Sequence, residues 1–267
     1  QKMGKAYRGI TDHIQLINDC LWFFYTGCTN MTSAGITVYN GDNKLTVNQT
    51  YKNLVLKRKI KLIDLKTVEI VRRDVPVLDL AKDEILVAVG GMTSNNNMLI
   101  IQDYDYEAKR IEFRGVEYSE DEDTDDEILD IEDFRNAYPD VYAYVFGLDT
   151  STPAQSGVGL QVFNSVGCCV FDSTKEYMRV RHFGPTGYTL PSATNKYAIC
   201  QIGSDIAYTE TKGEFGGSIT EVSFPAIVNG KVQVRTLSMY YATGFPGSGD
   251  SYHYDAFNYM VIDVTNY

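Results

Sequence analysis

The chemically richest stretch of the chain is an acidic segment at residues 117–133. It contains eleven of the 35 acidic residues and no Lys or Arg. Outside it, 24 acidic residues balance 24 basic ones, so this segment carries the whole net charge of −11. A nucleic-acid-binding surface would need a basic stripe instead, and we therefore expect no nucleic-acid partner. One interpretation of the segment is a docking element for a basic patch on a neighbouring subunit.

The acidic segment also has part of the spacing of a calcium loop. Asp121, Asp123 and Asp125, with Glu132 at the twelfth position, place carboxylates where an EF-hand loop places its ligands. Asp126 stands where that loop uses glycine for its sharp turn, and no helical pattern precedes it. A solvated insertion, extended by like-charge repulsion, explains the same residues. We therefore predict no cofactor and keep Ca²⁺ binding as an alternative.

Side chains suited to catalysis are sparse. The sequence has three histidines and none of the spacings typical of nucleophile elbows, P-loops, dinucleotide folds or zinc proteases. His253 has Asp250 and Asp255 nearby, but a catalytic triad is defined by geometry and not by sequence neighbours. We predict that the protein is not an enzyme. A hydrolase with two convergent carboxylates on a β scaffold is the remaining alternative.

A stretch rich in glycine and aromatic residues at 244–255 is a candidate interaction loop. Phe245, Tyr252, His253 and Tyr254 lie in it. Aromatic rings on a loop give a broad contact area at small rotamer-entropy cost, which suits recognition of a glycan or another protein. The alternative is a long hairpin connection that folds back on its own sheet.

The cysteines predict neither a zinc site nor a disulfide framework. Their number is odd and no Cys-x-x-Cys spacing occurs, so we expect small buried hydrophobic side chains in a protein assembled in reducing cytoplasm. No stretch approaches the roughly 18 apolar residues of a membrane span. The first residues lack the apolar core of a signal peptide. The five cysteines are Cys20, Cys28, Cys168, Cys169 and Cys200.

Strand patterns dominate the chain. Runs of β-branched and aromatic residues alternate with turn residues throughout, which predicts an all-β fold with little helix. Asn229-Gly230, between two apolar runs, predicts a hairpin with a type I′ turn. Helical periodicity is limited to residues 126–138.

An internal repeat organises the sequence. The stretch from Gly35 to Asn40 matches the stretch from Gly159 to Asn164, and the same offset of 124 continues into a third strand. We predict two tandem β-sandwich-like domains related by internal duplication, with Ile36 and Leu160 filling equivalent cores. The first domain spans residues 1–148 and includes the acidic segment, residues 149–157 form a polar linker, and the second domain spans residues 158–267.

The second half resembles the opening of a family of small bacteriophage tail-associated proteins. The resemblance implies a virion structural or tail-fibre-associated role with no known catalytic activity. It covers about 25 residues well, and the first half departs from it at positions 47–49. The residues that carry it are Gly159-Leu160-Gln161-Val162-Phe163-Asn164, Gly167, Val170-Phe171-Asp172-Ser173 and Tyr177-Met178-Arg179-Val180.

From these observations we expect a virion structural protein of a bacteriophage tail, at the tail tip or associated with the fibres. It would act as an assembly and docking module, with other tail proteins as partners in a multisubunit assembly. Such a protein is assembled in the host cytoplasm and resides in the virion. The alternative is a module that binds a host receptor or surface glycan.

Overall fold

The structure is a computed structural model of the chain. It describes residues 37–39, 45–48, 53–70, 73–93, 97–105, 108–117, 128–149, 159–164, 169–203, 205–210, 217–242, 251–255 and 257–267. All statements about the structure refer to these residues.

Nineteen strands, one α-helix and a 3₁₀ turn at Leu62–Asp64 make up the described elements. The helix, α1, spans Ile131–Ala137. The strands are β1 (Thr37–Tyr39), β2 (Leu45–Asn48), β3 (Leu54–Lys61), β4 (Lys66–Ile70), β5 (Arg73–Asp79), β6 (Glu84–Thr93), β7 (Met98–Asp105), β8 (Arg110–Gly115), β9 (Tyr142–Leu148), β10 (Gln161–Phe163), β11 (Cys169–Asp172), β12 (Val180–Gly184), β13 (Tyr188–Thr189), β14 (Lys196–Gln201), β15 (Asp205–Glu210), β16 (Gly217–Val228), β17 (Lys231–Ala242), β18 (Ser251–Asp255) and β19 (Tyr259–Asp263).

The prediction of an all-β fold with little helix is confirmed. The hairpin predicted at Asn229-Gly230 joins β16 to β17, and both turn residues have positive φ, 50° and 73°. The one helix lies inside the stretch predicted for it. Asp130 caps α1 by accepting hydrogen bonds from the main-chain N–H groups of Glu132 and Asp133.

Two large antiparallel sheets form a sandwich. One has six strands in the order β12-β19-β14-β6-β9-β3, and the other follows the path β13-β17-β16-β7-β8-β5-β4, with β15 and β18 attached through β16. The core between them includes Val89 and Val145 from the first sheet and Ile100 and Phe113 from the second. Alternation along each strand buries one face against the facing sheet, as in other sandwiches.

The prediction that each half of the chain has its own core is wrong. In the six-stranded sheet, β3, β6 and β9 come from the first half and β12, β14 and β19 from the second. Strands β6 and β14 pair directly, with Val89 opposite Ile199. The halves therefore share a sheet and a core. The sequence did not predict this because side-chain alternation requires that one face of a strand be buried but does not specify which strands cover it. Apart from Asp149, the predicted linker lies outside the described residues.

The two halves nevertheless use the same strand registers. In β1–β2, Thr37 pairs with Asn48 and Val38 with Val47; adding 124 to each number gives the pairs found in β10–β11. The pairing of β3 with β9 skips Lys57, and that of β12 with β19 skips Arg181, again 124 residues later. Counted inward from either edge of the six-stranded sheet, the two halves contribute their strands in the same order. The first half gives β3, β9 and β6, and the second half gives β12, β19 and β14.

The six-stranded sheet closes on itself where its two edges meet. Main-chain bonds run from the N–H of Met178 to the carbonyl of Leu54 (2.9 Å) and from the N–H of Leu56 to the carbonyl of Glu176 (2.8 Å). Side chains of the enclosed face form a second core. Its members include Ala88, Tyr144, Phe146, Cys200 and Ile262.

Candidate docking surface

The exposed apolar side chains of the protein are unevenly placed. Among the described residues, five large hydrophobic side chains are exposed, and all five lie in the second half. Scattered exposed apolar residues are ordinary, whereas a concentration of them marks a contact surface. Four fall within 24 residues of sequence, on or next to β10 and β12: Leu160, Phe163, Val180 and Phe183, with Phe183 the most exposed at 58 %.

Strand β12 presents two of these side chains at a sheet edge. Among the described strands, β12 pairs along its length with β19 alone. Val180 is opposite Ile262 and Phe183 is opposite Met260, so both point to the enclosed side of the sheet yet remain exposed. An exposed edge strand with apolar side chains is a template on which another chain adds.

An ion pair between exposed Arg181 and buried Asp263 holds β12 in place. The Arg181 guanidinium donates to Asp263 Oδ2 from Nη2 (2.6 Å) and Nε (3.2 Å), and the Thr265 N–H donates to Asp263 Oδ1. Burial, the largest single influence, acts to raise the pKa of Asp263. The bonds from Arg181 and Thr265 outweigh it and hold this pKa below its ordinary value.

Replacing Arg181 tests this anchor. Because the folded-state pKa of Asp263 is lowered, the pair stabilises the fold at neutral pH. That contribution disappears as pH falls from the unfolded value of about 3.9 through the folded one. Arg181→Gln is expected to lower the unfolding free energy by about 1–2 kcal/mol at pH 7, and by much less below about pH 3. Urea denaturation at both pH values measures it, with Lys196→Gln as the control; a loss of equal size at both pH values contradicts the assignment.

The matching edge of the first half is blocked by charge. At the positions of Val180, Arg181 and Phe183, minus 124, β3 carries Leu56, Lys57 and Lys59. Lys57 pairs with Asp83 at 2.8 Å, and Lys59 Nζ lies 4.6 Å from the centre of the Tyr142 ring. Charged residues on an edge strand oppose edge-to-edge association. The two halves therefore have the same edge in the same register, with opposite surface chemistry.

The hairpin β10–β11 forms a small sheet of its own. Val162 and Val170 are buried in it, and Phe171 stacks on Tyr177 with ring centroids 4.9 Å apart. Leu160 was predicted to fill a core, but 49 % of it is exposed, and that prediction is wrong. A two-stranded hairpin is too small to cover both of its faces, so one row of side chains remains outside.

A cluster of aromatic rings lies beside β12. His182 stacks on Tyr188 with ring centroids 4.7 Å apart and lies 5.4 Å from Tyr259. Its Nε2 is 3.2 Å from the carbonyl oxygen of Thr186. Half-buried and packed in this way, His182 fixes the loop between β12 and β13 against the sheet. His182 itself lies on β12.

The predicted aromatic interaction loop is partly a strand. Ser251–Asp255 forms β18 and pairs with β15, with Tyr252 opposite Tyr208, His253 opposite Ala207 and Tyr254 opposite Ile206. The loop prediction is wrong for these residues, because a run rich in Tyr satisfies its main chain by pairing and the glycines before it concealed the strand pattern. Phe245 lies outside the described residues.

The predicted acidic carboxylates are divided between described and undescribed parts of the chain. Asp121, Asp123 and Asp125 lie outside the described residues, so Ca²⁺ binding stays a prediction. Glu132 is exposed in the first turn of α1, where a negative charge is favourable. Within the described residues no group of three or more His, Cys, Asp or Glu side chains is arranged to hold a metal ion.

One ion-pair network was missed by the sequence reasoning. Glu112, 6 % exposed in β8, accepts from Nη2 of Arg110 (3.2 Å) and Nη2 of Arg114 (2.8 Å). These arginines also pair with Asp105 and Asp103 on β7. Burial raises the pKa of Glu112, and both arginines oppose the shift. Glu112 is held between two arginines of its own strand, and Asp103 and Asp105 bind those arginines from β7, so the network fastens the β7–β8 hairpin. Alternating opposite charges in residues 110–114 were the available signal.

The cysteine prediction is confirmed for Cys200, which is buried in the enclosed core with a pKa raised by burial to about 12. Cys169 is partly buried and is not in a disulfide. The other three cysteines lie outside the described residues. No helix in the described part of the chain is both long and apolar enough to cross a membrane.

Comparison with known proteins adds no relative. No protein-family model, curated protein or solved structure matches this chain. The inference of function therefore depends on the surface chemistry of β10, β12 and their neighbours.

Proposed function

We propose that this chain is a structural protein of a bacteriophage tail, at the tip or next to the fibres, where it acts as an assembly and docking module. In this proposal the two halves are copies of one duplicated unit, and their matched registers support the duplication. The observation that carries the docking role is the exposed apolar edge at β12. Two structural copies within one chain present related surfaces, and selection can keep one closed while the other binds.

The contrast between the two edges supports docking over simple packing. If β12 stayed in water, the apolar side chains of Val180 and Phe183, opposite Ile262 and Met260, would remain exposed at a cost in free energy. A partner that covers them would recover that cost. In the first half, Lys59 stands at the position of Phe183 and its Nζ lies over the Tyr142 and Tyr144 rings, so no partner is needed to cover an apolar side chain there.

The location is tested by labelling. Antibodies raised against the purified chain are applied to phage particles that encode it, and gold particles are located by electron microscopy. We expect label on the tail, close to its tip. Particles that carry no label contradict the proposal. Binding of the purified protein to host cells that is lost on Phe245→Ala and Tyr254→Ala would favour the adhesin alternative.

The docking surface is tested by complementation. A phage lacking the gene is supplied with the chain carrying Val180→Lys and Phe183→Lys, and the amount incorporated is measured by quantitative mass spectrometry of purified particles. We expect at least about a tenfold loss, the equivalent of 1.4 kcal/mol of interaction. The matched control is Val234→Lys, an exposed apolar position on β17 in the other sheet. Equal incorporation of both variants contradicts docking at β12.

A further inference from the structure

The closure of the six-stranded sheet is its least bonded junction. Its two edges meet at residues 54–56 and 176–178, and we call this contact the seam. Among the described residues, the seam has one bridge, between Val55 and Tyr177, and two main-chain hydrogen bonds. Every other pair of neighbouring strands in this sheet is joined along four or more residue pairs. Because a short ladder loses few bonds when it separates, the sheet opens at the seam at the least cost in free energy.

The side chain of Tyr267 lies across the seam and contacts both halves. On the side of the first half, its ring centroid is 6.3 Å from that of Tyr144 and 6.1 Å from that of Phe146, both on β9. On the side of the second half, its hydroxyl donates to the carbonyl oxygen of Tyr177. The Arg179 guanidinium carbon lies 4.4 Å from the centre of the same ring. Aromatic pairs and a cation over a ring are both attractive, so one side chain ties together two edges that share few main-chain bonds.

Main-chain contacts hold Tyr267 in this position. Lys59 Nζ, on β3, donates to the main-chain oxygen of Tyr267 at 2.8 Å, which adds another bond across the seam. The N–H of Tyr267 donates to the carbonyl oxygen of Val264. The N–H of Lys196, at the start of β14, donates to Thr265 Oγ1 at 3.0 Å. The residues that lead to Tyr267 are therefore anchored on β14, and the ring is fixed over the seam.

The core that the seam encloses contains a thiol that reports on opening. Cys200, on β14, is 2 % exposed and belongs to this core, and Tyr267 packs against the same core as a partly buried side chain. Strands β12 and β19 separate β14 from the seam. Burial raises the pKa of the Cys200 thiol to about 12, so the thiol is not ionised at neutral pH while the sheet is closed. A thiol in water has a pKa of about 8.5 and reacts as the thiolate, so Cys200 becomes reactive when the sheet opens.

We propose that Tyr267 is a latch that holds the seam closed, and that the seam is the place where the folded chain opens. The inference does not depend on the tail assignment, because all of the contacts lie within one chain. It goes beyond the docking role by giving the protein a movable junction between its halves. Opening separates β3 from β12 and leaves main-chain groups of Leu54, Leu56 and Met178 unpaired. Unpaired main-chain groups on a strand edge are the groups to which a strand of another protein binds.

Alkylation of Cys200 in the full chain tests the latch. Iodoacetamide is added at about pH 8 without denaturant, and the rate is measured by mass spectrometry of the peptide that contains Cys200, because the chain has five cysteines. Tyr267→Ala is expected to raise this rate about tenfold or more, since it removes the aromatic and cation contacts across the seam. Tyr267→Phe keeps the ring and loses only the bond to Tyr177, so we expect a rise of about threefold.

Ile100→Val is the control that separates opening at the seam from unfolding of the whole chain. Ile100 is 1 % exposed on β7, in the core between the two sheets, so the loss of one methyl group lowers global stability without a change at the seam. We expect its Cys200 rate without denaturant to equal that of the parent. The parent rate should also rise with urea much less steeply than the global unfolding constant, because a local opening exposes little surface.

Amide hydrogen exchange locates the opening. The N–H groups of Leu56 and Met178 donate across the seam, and in Tyr267→Ala we expect them to exchange about tenfold faster while the amides of β14 keep the protection of the parent.

A Cys200 rate that Tyr267→Ala leaves unchanged overturns the inference, as does an equal rise in Ile100→Val. Seam amides that stay as protected as those of β14 overturn it as well. Circular dichroism establishes that the variants fold; should Tyr267→Ala unfold, Tyr267→Phe and Arg179→Gln carry the same test. Phage particles without label would remove the tail assignment and leave the latch standing.

Discussion

Residues 158–267 produced alone are expected to lack a native monomeric fold. They contribute β12, β14 and β19 to the six-stranded sheet, but the partner of β14 on its other side is β6, from the first half. The core side chains Val87, Val89 and Val145 also come from the first half. Without them, β14 exposes an unpaired central edge and the apolar face of the half-sheet. A chain cut at this point loses far more than the 5–15 kcal/mol that stabilises a typical domain.

Circular dichroism, amide-proton dispersion and urea unfolding of the fragment measure this outcome. Residues 1–149 produced alone are expected to fail in the same way, for the same reason. The control is the mixture of both fragments, refolded together, which should recover the cooperative unfolding of the intact chain. A monomeric fragment that unfolds cooperatively by itself would mean that each half has an independent core, contrary to the shared sheet.

Gly90→Ala is expected to cause a large loss of stability for a substitution that adds one methyl group. Gly90 pairs with Tyr142 of β9 and with Ala198 of β14, so it lies on the seam between the halves. A Cβ there would lie 2.2 Å from the Tyr197 carbonyl oxygen, and the φ of +157° is one that side chains rarely adopt. Overlap with the main chain of β14 cannot be relieved by rotating a side chain. We expect a loss of about 3 kcal/mol or more in unfolding free energy.

The matched control for Gly90→Ala is Gly187→Ala. Gly187 lies in the exposed loop between β12 and β13, and its nearest neighbour to an added Cβ is the Val232 carbonyl oxygen at 3.4 Å, an ordinary contact. We expect a change within about 0.5 kcal/mol there, as for most surface substitutions. Urea denaturation of both variants and the parent gives the comparison. A small loss at Gly90 would mean that the β6–β14 junction is loose enough to move apart.

The docking surface was only partly predictable from the sequence. The resemblance to tail-associated proteins singled out Phe163 and Val180, but it gave no reason to expect either to be exposed. The clearest signal was the alignment at an offset of 124, where Lys59 meets Phe183. That contrast indicates different surroundings for two equivalent positions. The contrast did not indicate that Phe183 is exposed, because an apolar residue in an alternating strand is ordinarily assigned to a core.

The predicted aromatic loop shows the opposite failure. Tyr252 and Tyr254 have strand-like alternation, but three glycines and a proline between residues 244 and 249 outweighed it. Pairing with β15 is long-range in sequence, with Tyr252 opposite Tyr208. Local composition carries no information about a partner that arrives from forty residues away.

The sequence by itself determined that the chain is mostly strand, and it placed the hairpin at Asn229-Gly230. The pairing registers of β1–β2 recur in β10–β11 at the offset of 124 read from the sequence. These are local properties, because side-chain alternation and turn residues act between neighbours along the chain. Only the tertiary structure decided that β6 pairs with β14, that the halves share one core, and that Val180 and Phe183 on the edge strand β12 stay exposed. Alternation demands that one face be covered, and many faces in the same chain meet that demand equally well, so the choice among them depends on the packing of the whole molecule.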